Sequence, residues 1–180
     1  MTDTSMPGTP PDGSTPAGPP AGGKEPPLII LTQYVKDLSF ENPNAPVIFA
    51  QTQKSPKISI SVDVKVNSIQ ERLAEVVLAL RVEAQVAEKN AFLIELDYAG
   101  IANINAEMSP EEIQKAYLIT APAMLFPFAR AIIGTLSRDG GFMPFLMTPI
   151  DFEQLYEQRL ERAAAQAGDS ADETAPDAEA

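Results

Sequence analysis

The sequence predicts an α+β fold: a four-stranded antiparallel sheet carrying a long kinked helix and a second, C-terminal helix on one face. Three observations predict it. Apolar residues recur with a two-residue period in successive stretches between Lys57 and Tyr98, the signature of strands with one buried and one wet face. Ser109-Pro110-Glu111-Glu112 then opens a long apolar run interrupted by Pro122 and Pro127. A shorter amphipathic stretch follows Thr148. Strands that all precede helices read as α+β rather than as alternating βαβ units.

The first strand covers residues 28 to 40, where Tyr34, Val35, Leu38 and Phe40 suit a pleated, half-buried surface. Pro43 and Pro46 lack a backbone N–H and so fall outside a central ladder. Val47-Ile48-Phe49 is too apolar for an ordinary solvent loop, and the acid before it marks a surface built to be touched. In Lys57 to Val66, Ile58, Ile60, Val62, Val64 and Val66 alternate with polar residues. This is a strand of an antiparallel sheet covered on one side only. Residues 72 to 86 fit a helical stripe through Leu73, Val76, Val77 and Leu80. They also fit a longer alternation from Val76 to Val86 whose other face turns polar, which favours a strand. Ala87 to Asn90 reads as a hairpin connection. The fourth strand, Ala91 to Tyr98, places Phe92, Ile94, Leu96 and Tyr98 on one face and Leu93, Glu95 and Asp97 on the other.

Ser109 can cap a helix, Pro110 suits its first position and Glu112 can close a capping box. With Pro122 and Pro127 inside, the helix is expected to kink or break and to end near Arg138, stopped by Asp139-Gly140-Gly141. The second helix is expected to start near Thr148-Pro149 and run past Leu160, with Phe152, Leu155, Tyr156 and Leu160 as its apolar stripe. Residues 1–27, with eight prolines and five glycines, form a head that cannot bury enough surface to order itself. Residues 28–162 form the folded domain, and residues 163–180 an alanine-rich acidic tail. The run from Ile113 to Leu136 is apolar on nearly every side, and a four-stranded sheet covers only one. Its other side calls for a second subunit.

The chain has no cysteine and no histidine. Disulfides, thiolate chemistry and His-based triads are therefore excluded, and a binding protein is favoured over an enzyme. A net charge of −12 argues against nucleic acid and anionic membranes and favours a basic partner. With neither a signal segment nor an apolar run near the length of a membrane span, the expectation is a soluble, cytoplasmic protein. Glu111-Glu112 and Asp37/Glu41 are pairs of carboxylates, but cap charge and solvated surface explain them better than acid–base catalysis. Asp139-Gly140-Gly141 lacks the pattern of a phosphate loop. Met143 and Met147, with Phe142 and Phe145, could line an adaptable binding surface or pack a loop onto the core. Asp37, Glu41, Glu95 and Asp97 could share an acidic outer sheet face, or be solubility charge.

Three segments, YVKDLSFENPNAPVIF (34–49), AFLIELDYAGI (91–101) and LFPFARAIIGTLSRDGGFMPFLMTPIDFEQLY (125–156), resemble the SecB family of bacterial protein-export chaperones. The resemblance spans nearly all of residues 28 to 162. It implies a homotetramer, a dimer of dimers whose two sheets sandwich the long first helices. It further implies an export chaperone without enzymatic activity, cofactor or metal, which holds unfolded precursor proteins and passes them to the translocation ATPase SecA. By position, the SecA-contact surface maps onto Asp37, Glu41, Leu93 and Glu95. The client groove maps onto Phe40, Val47, Phe49 and Phe142, and the inward strand positions Phe92, Ile94, Leu96 and Tyr98 would face the helices and the subunit interface. Contacts with clients would be apolar, helped by backbone hydrogen bonds at sheet edges. Two other readings stay open on the same fold: a chaperone dedicated to one toxin–antitoxin system, and a carboxylate enzyme or small-ligand binder. The long Pro/Gly head and the acidic tail depart from the family pattern.

Overall fold

The structure, a computed structural model, describes residues 26–51 and 55–172. Most of the predicted head, and the tail beyond Asp172, lie outside the described residues. The elements run β1 (Leu28–Glu41), a 3-10 turn (Val47–Gln51), β2 (Lys57–Gln70), β3 (Leu73–Val86), β4 (Lys89–Ile104), α1 (Pro110–Lys115), a π-helical turn (Ala116–Thr120), α2 (Ala121–Asp139) and α3 (Phe152–Asp172). The sheet is antiparallel with strand order β1-β4-β3-β2.

That order dictates the architecture. β2, β3 and β4 form a meander, with β3 and β4 joined by Ala87 and Glu88 at φ 50° and 66°. Two successive positive φ values match the right-handed twist of the flanking strands. β1 returns to the far side of β4, so residues 42–56 must travel from one edge of the sheet to the other. The loop expected at Val47-Ile48-Phe49 is therefore a 3-10 turn on that path, anchored by Ile48, which is fully buried.

β3 and β4 are the core strands. Val76, Leu78, Leu80, Val82, Ile94 and Leu96 are all buried, and α2 lies over them through Leu125, Ala129 and Ile133. The alternation in β2 is present but its apolar face is only partly covered, because β2 is an edge strand: Ile60 remains 44% exposed.

Ser109 and Glu112 form the expected capping box, and Ser109 holds the Glu112 carboxyl below its usual range. The helix does not break at Pro122 or Pro127: the helical run continues from Pro110 to Asp139, with the π-helical turn Ala116–Thr120 just before Pro122 and with Pro127 inside α2. By length and composition alone, Pro110–Asp139 is apolar enough to cross a membrane, contrary to the sequence-based expectation. Here it packs on the sheet as a core helix. The second helix begins at Phe152, later than expected, because Asp151 caps it: its carboxylate accepts from Gln154 N at 3.0 Å. It continues to Asp172, beyond the domain boundary drawn at residue 162.

On the outer face, Glu75 of β3 ties two other strands of the sheet, β1 and β2, through three side chains. It accepts from Tyr34 Oη at 2.5 Å, Lys36 Nζ at 2.6 Å and Asn67 Nδ2 at 2.8 Å. Tyr34 and Lys36 reach it from β1, across β4. These bonds, the Lys36 contact first, hold the Glu75 carboxyl down at about 2. A carboxyl depressed in the folded state stabilises above its unfolded pKa, and that contribution disappears as pH falls through the folded pKa. The stability difference between the wild type and Glu75→Gln should therefore be full at neutral pH and shrink between about pH 4.5 and 2. Denaturant titrations across that window check it. A difference independent of pH would mean that the carboxylate charge contributes nothing.

Candidate functional site: an aromatic groove and an acidic sheet face

The groove lies at the end of the sheet where β1 and β3 finish and β2 and β4 begin. It is a cleft of about 340 Å³ whose walls include Ile58, Phe49, Phe92, Phe142, Met143 and Phe145. Four rings run in sequence beside it. Phe40 lies 6.3 Å from Phe92, Phe92 lies 5.0 Å from Phe142, and Phe142 lies 5.3 Å from Phe49, all between ring centroids. These are ordinary spacings for attractive aromatic pairs.

Two devices hold the rings in place. Ser137, fully buried on α2, donates to Gly134 O at 3.1 Å and accepts from Phe145 N at 2.8 Å, while Phe142 N donates to Ser137 O at 3.0 Å. One residue thus fastens the 142–145 wall to the helix. The end of α2 supplies the second device. Gly140 lies under the Phe40 ring so closely that any Cβ would overlap it. Gly141, at φ +88°, lies under Phe49, whose ring would be 3.1 Å from a Cβ. The two glycines stop the helix, as expected, and they also seat the rings that arrive from β1 and the 3-10 turn. The glycine seat was not legible in the sequence, which carries no local signal for a contact between residues about a hundred positions apart, and the role of Ser137 was not read from it either.

Of the residues mapped to the groove, Phe49 and Phe142 line it and Phe40 backs it. Val47 does not line it and is 60% exposed. The methionines divide: Met147 is core and Met143 stands at the groove with 88% exposure.

The four inward residues of β4, Phe92, Ile94, Leu96 and Tyr98, lie in different surroundings. Ile94 and Leu96 are buried within one subunit beneath its own α2, and Phe92 belongs to the groove. Only Tyr98 approaches an open surface, with its ring 6.5 Å from that of Phe128. Among the exposed apolar side chains are Val35 and Leu38 of β1 and Met124 and Phe128 of α2, each at least 39% exposed.

On the opposite face, Asp37 pairs in register with Asp97, Ser39 with Glu95, and Glu41 with Leu93. Asp37, Glu41, Leu93 and Glu95 are therefore neighbours. Their charges are unequal. Arg81 forms an ion pair with Glu95 and lies 4.0 Å from Glu83, while Lys65 lies 4.0 Å from Asp97. Asp37 and Glu41, on the edge strand, have no ion pair among the described residues. The negative field is therefore concentrated along β1. The other carboxylate candidates are occupied structurally: Glu111 pairs with Lys115 at 2.8 Å and Glu112 closes the cap.

Comparisons with known proteins bear on both surfaces. The family model described as preprotein translocase subunit SecB matches residues 21–163. The protein-export protein SecB of Rhodospirillum rubrum is 46% identical over 146 residues, 81% of this chain and 90% of that one. The SecB of Rhodospirillum centenum is 42% identical over 149 residues, 83% and 89% of the two chains. That of Rhodopseudomonas palustris is 45% identical over 158 residues, 88% and 95%. Among solved structures, a Mycobacterium tuberculosis SecB-like chaperone in complex with an antitoxin peptide superposes with a TM-score of 0.59 at 12% identity, covering 68% of this chain and 90% of that one, which shows a shared fold. With a family match across most of its length and several relatives above 40% identity, the chain belongs to the SecB family of protein-export chaperones.

Proposed function

We propose that this chaperone holds unfolded precursor proteins in its aromatic groove and delivers them to SecA through the acidic face, working in the cytoplasm as a homotetramer without cofactor or catalytic step. The observation that carries client binding is the groove itself: an open, apolar cleft flanked by four rings, with no charged side chain lining it among the described residues. Apolar contact is non-directional and so tolerates many sequences. Relatives at 42–46% identity are export proteins, which favours export clients over an antitoxin partner. The occupied carboxylates at Glu111 and Glu112 weigh against an acid–base enzyme.

Phe49→Ala should weaken binding of a slow-folding precursor about tenfold or more, the order expected from truncating an aromatic anchor. Light-scattering mass should not change. Titrating the unfolded precursor against both proteins, with the native form as control, tests this. Unchanged affinity would remove Phe49 from the site, and equal binding of native and unfolded forms would refute the chaperone reading.

Delivery to SecA would rest on attraction between Asp37, Glu41 and Glu95 and a basic surface, reinforced by apolar contact at Leu93. Exposed charges are screened beyond about 8 Å at physiological salt. SecA affinity should thus fall as salt rises, and client affinity much less. Because Arg81 already engages Glu95, Asp37→Asn with Glu41→Gln should remove more of the salt dependence than Glu95→Gln alone. A salt series on the three proteins decides it, and identical slopes would reduce the patch to solubility charge.

A tetramer is supported by exposed apolar side chains on the edge strand, Val35 and Leu38, and on α2, Met124 and Phe128, with Phe128 beside Tyr98, the register partner of Val35. Exposed apolar patches are the usual mark of a protein contact.

A further inference from the structure

We propose that the chain's own proline-rich head, through Met6 to Pro11, docks in the aromatic groove and competes there with clients. The competition rests on reading the groove as the client site. The docking does not.

The chemistry of segment and cleft matches. Pro7-Gly8-Thr9-Pro10 has prolines three residues apart, Pro11 follows, and no side chain from Thr4 to Pro11 is charged. Segments of this kind enter aromatic-lined grooves in the polyproline II conformation, which is largely preformed and so loses little entropy on binding. The groove offers Phe49, Phe92, Phe142 and Phe145, with Pro56 and Pro144 beside them. Three other clefts among the described residues carry charge in their walls. One, between β2 and α3, has Asp63, Arg159 and Arg162. A second, on the outer sheet face, has Asp37, Arg81, Glu95 and Asp97. The third, beside Pro26 and Leu28, has Glu112 and Lys115.

Reach selects the segment. The head joins β1 at Leu28, which pairs with Ile104, whereas the groove lies at the opposite end, where Phe40 pairs with Ile94. The length of β1 from Leu28 to Phe40 is about 40 Å at roughly 3.3 Å per residue. In polyproline geometry the chain from Leu28 back to Pro11 spans about 53 Å, at about 3.1 Å per residue, which is sufficient. From Leu28 back to Pro16 it spans only about 37 Å, so the prolines nearer β1 fall short.

Tethering makes a weak contact effective. A segment on a linker of this size is present at an effective concentration on the order of millimolar, so millimolar intrinsic affinity fills a large share of the grooves. A client offering larger apolar side chains displaces it, and weak apolar binders do not. The head thereby sets a threshold for engagement and shields the rings in the resting protein.

Because the chain has no cysteine, Thr9→Cys in the full chain provides a unique site for a spin label. Paramagnetic broadening of the Phe49, Gly141, Phe142 and Phe145 amides is expected, and its loss on adding Pro7→Ser, Pro10→Ser and Pro11→Ser. Without the label, the same three serine substitutions should tighten client binding about twofold, since apparent affinity scales with the fraction of free grooves and the tethered head fills about half of them. Broadening absent from the groove overturns the docking. Broadening present with client affinity unchanged by the three substitutions overturns the competition. A chain that binds no unfolded client with or without them overturns the client reading of the groove, while the label reports docking without any client.

Discussion

Leu96→Arg is expected to prevent the subunit from folding, whereas Phe128→Arg is expected to leave it folded and take the assembly apart. Leu96 is 1% exposed, paired with Leu38 on one side and Leu80 on the other, beneath α2. A guanidinium there has no partner and no route to water. An unpaired buried charge together with the lost apolar contact costs at least several kcal/mol, comparable with the roughly 5–15 kcal/mol that holds a domain together. Phe128 differs because it is 49% exposed on α2, next to Tyr98. An arginine there extends into solvent in the lone subunit and meets apolar surface only when a second subunit arrives. Circular dichroism and light scattering separate the two outcomes. Leu96→Arg should show no cooperative melting transition. Phe128→Arg should keep the wild-type spectrum at a lower mass. A folded Leu96→Arg that merely dissociates would place the inner face of β4 between subunits, and a Phe128→Arg of wild-type mass would show that Phe128 is not at a contact.

The second large effect is expected at Gly140. Its backbone, at φ −72° and ψ 0°, is open to alanine, so the obstacle is the Phe40 ring alone. Gly140→Ala forces that ring off its seat, and overpacking of this kind costs about 1–3 kcal/mol. For a chain of this size the melting temperature should fall by roughly 3–10 °C. Because Phe40 abuts Phe92, and Phe92 abuts Phe142, client affinity should fall as well. Phe40→Leu in the same chain should recover part of the stability by vacating the space, without recovering the fourth ring. Thermal unfolding of the two single variants and the double variant checks this. Additive losses would show that Gly140 and Phe40 do not interact.

The parts of the molecule that could be read in advance are those written in local pattern. The alternation of β3 resolved correctly against a competing helical stripe because Arg81, Glu83 and Gln85 make one face wet where a helix would scatter them. Ser109 and Glu112 are three residues apart, so the cap is a local fact. The start of α3 was misplaced because Pro149 is a plausible first helical residue, and only the Asp151 carboxylate, bonded to Gln154 N, settles the competition. The outer-face neighbours were identified as a set, but Arg81 reaching Glu95 depends on which strand lies beside which, so the inequality among their charges was not visible.

What the sequence alone determined, then, is the set of elements, their order and the two sides of each strand, because period, cap and breaker act within a few residues. The family resemblance was legible too, since three separated motifs retain their order. Only the tertiary structure decided how surfaces combine. Strand order β1-β4-β3-β2 sends residues 42–56 across the sheet and brings Phe49 onto Gly141. The same order places Leu96 under α2 while leaving Val35 and Phe128 open. Those outcomes depend on contacts between residues far apart in the chain, where geometry rather than local preference sets what is covered and what remains free to bind.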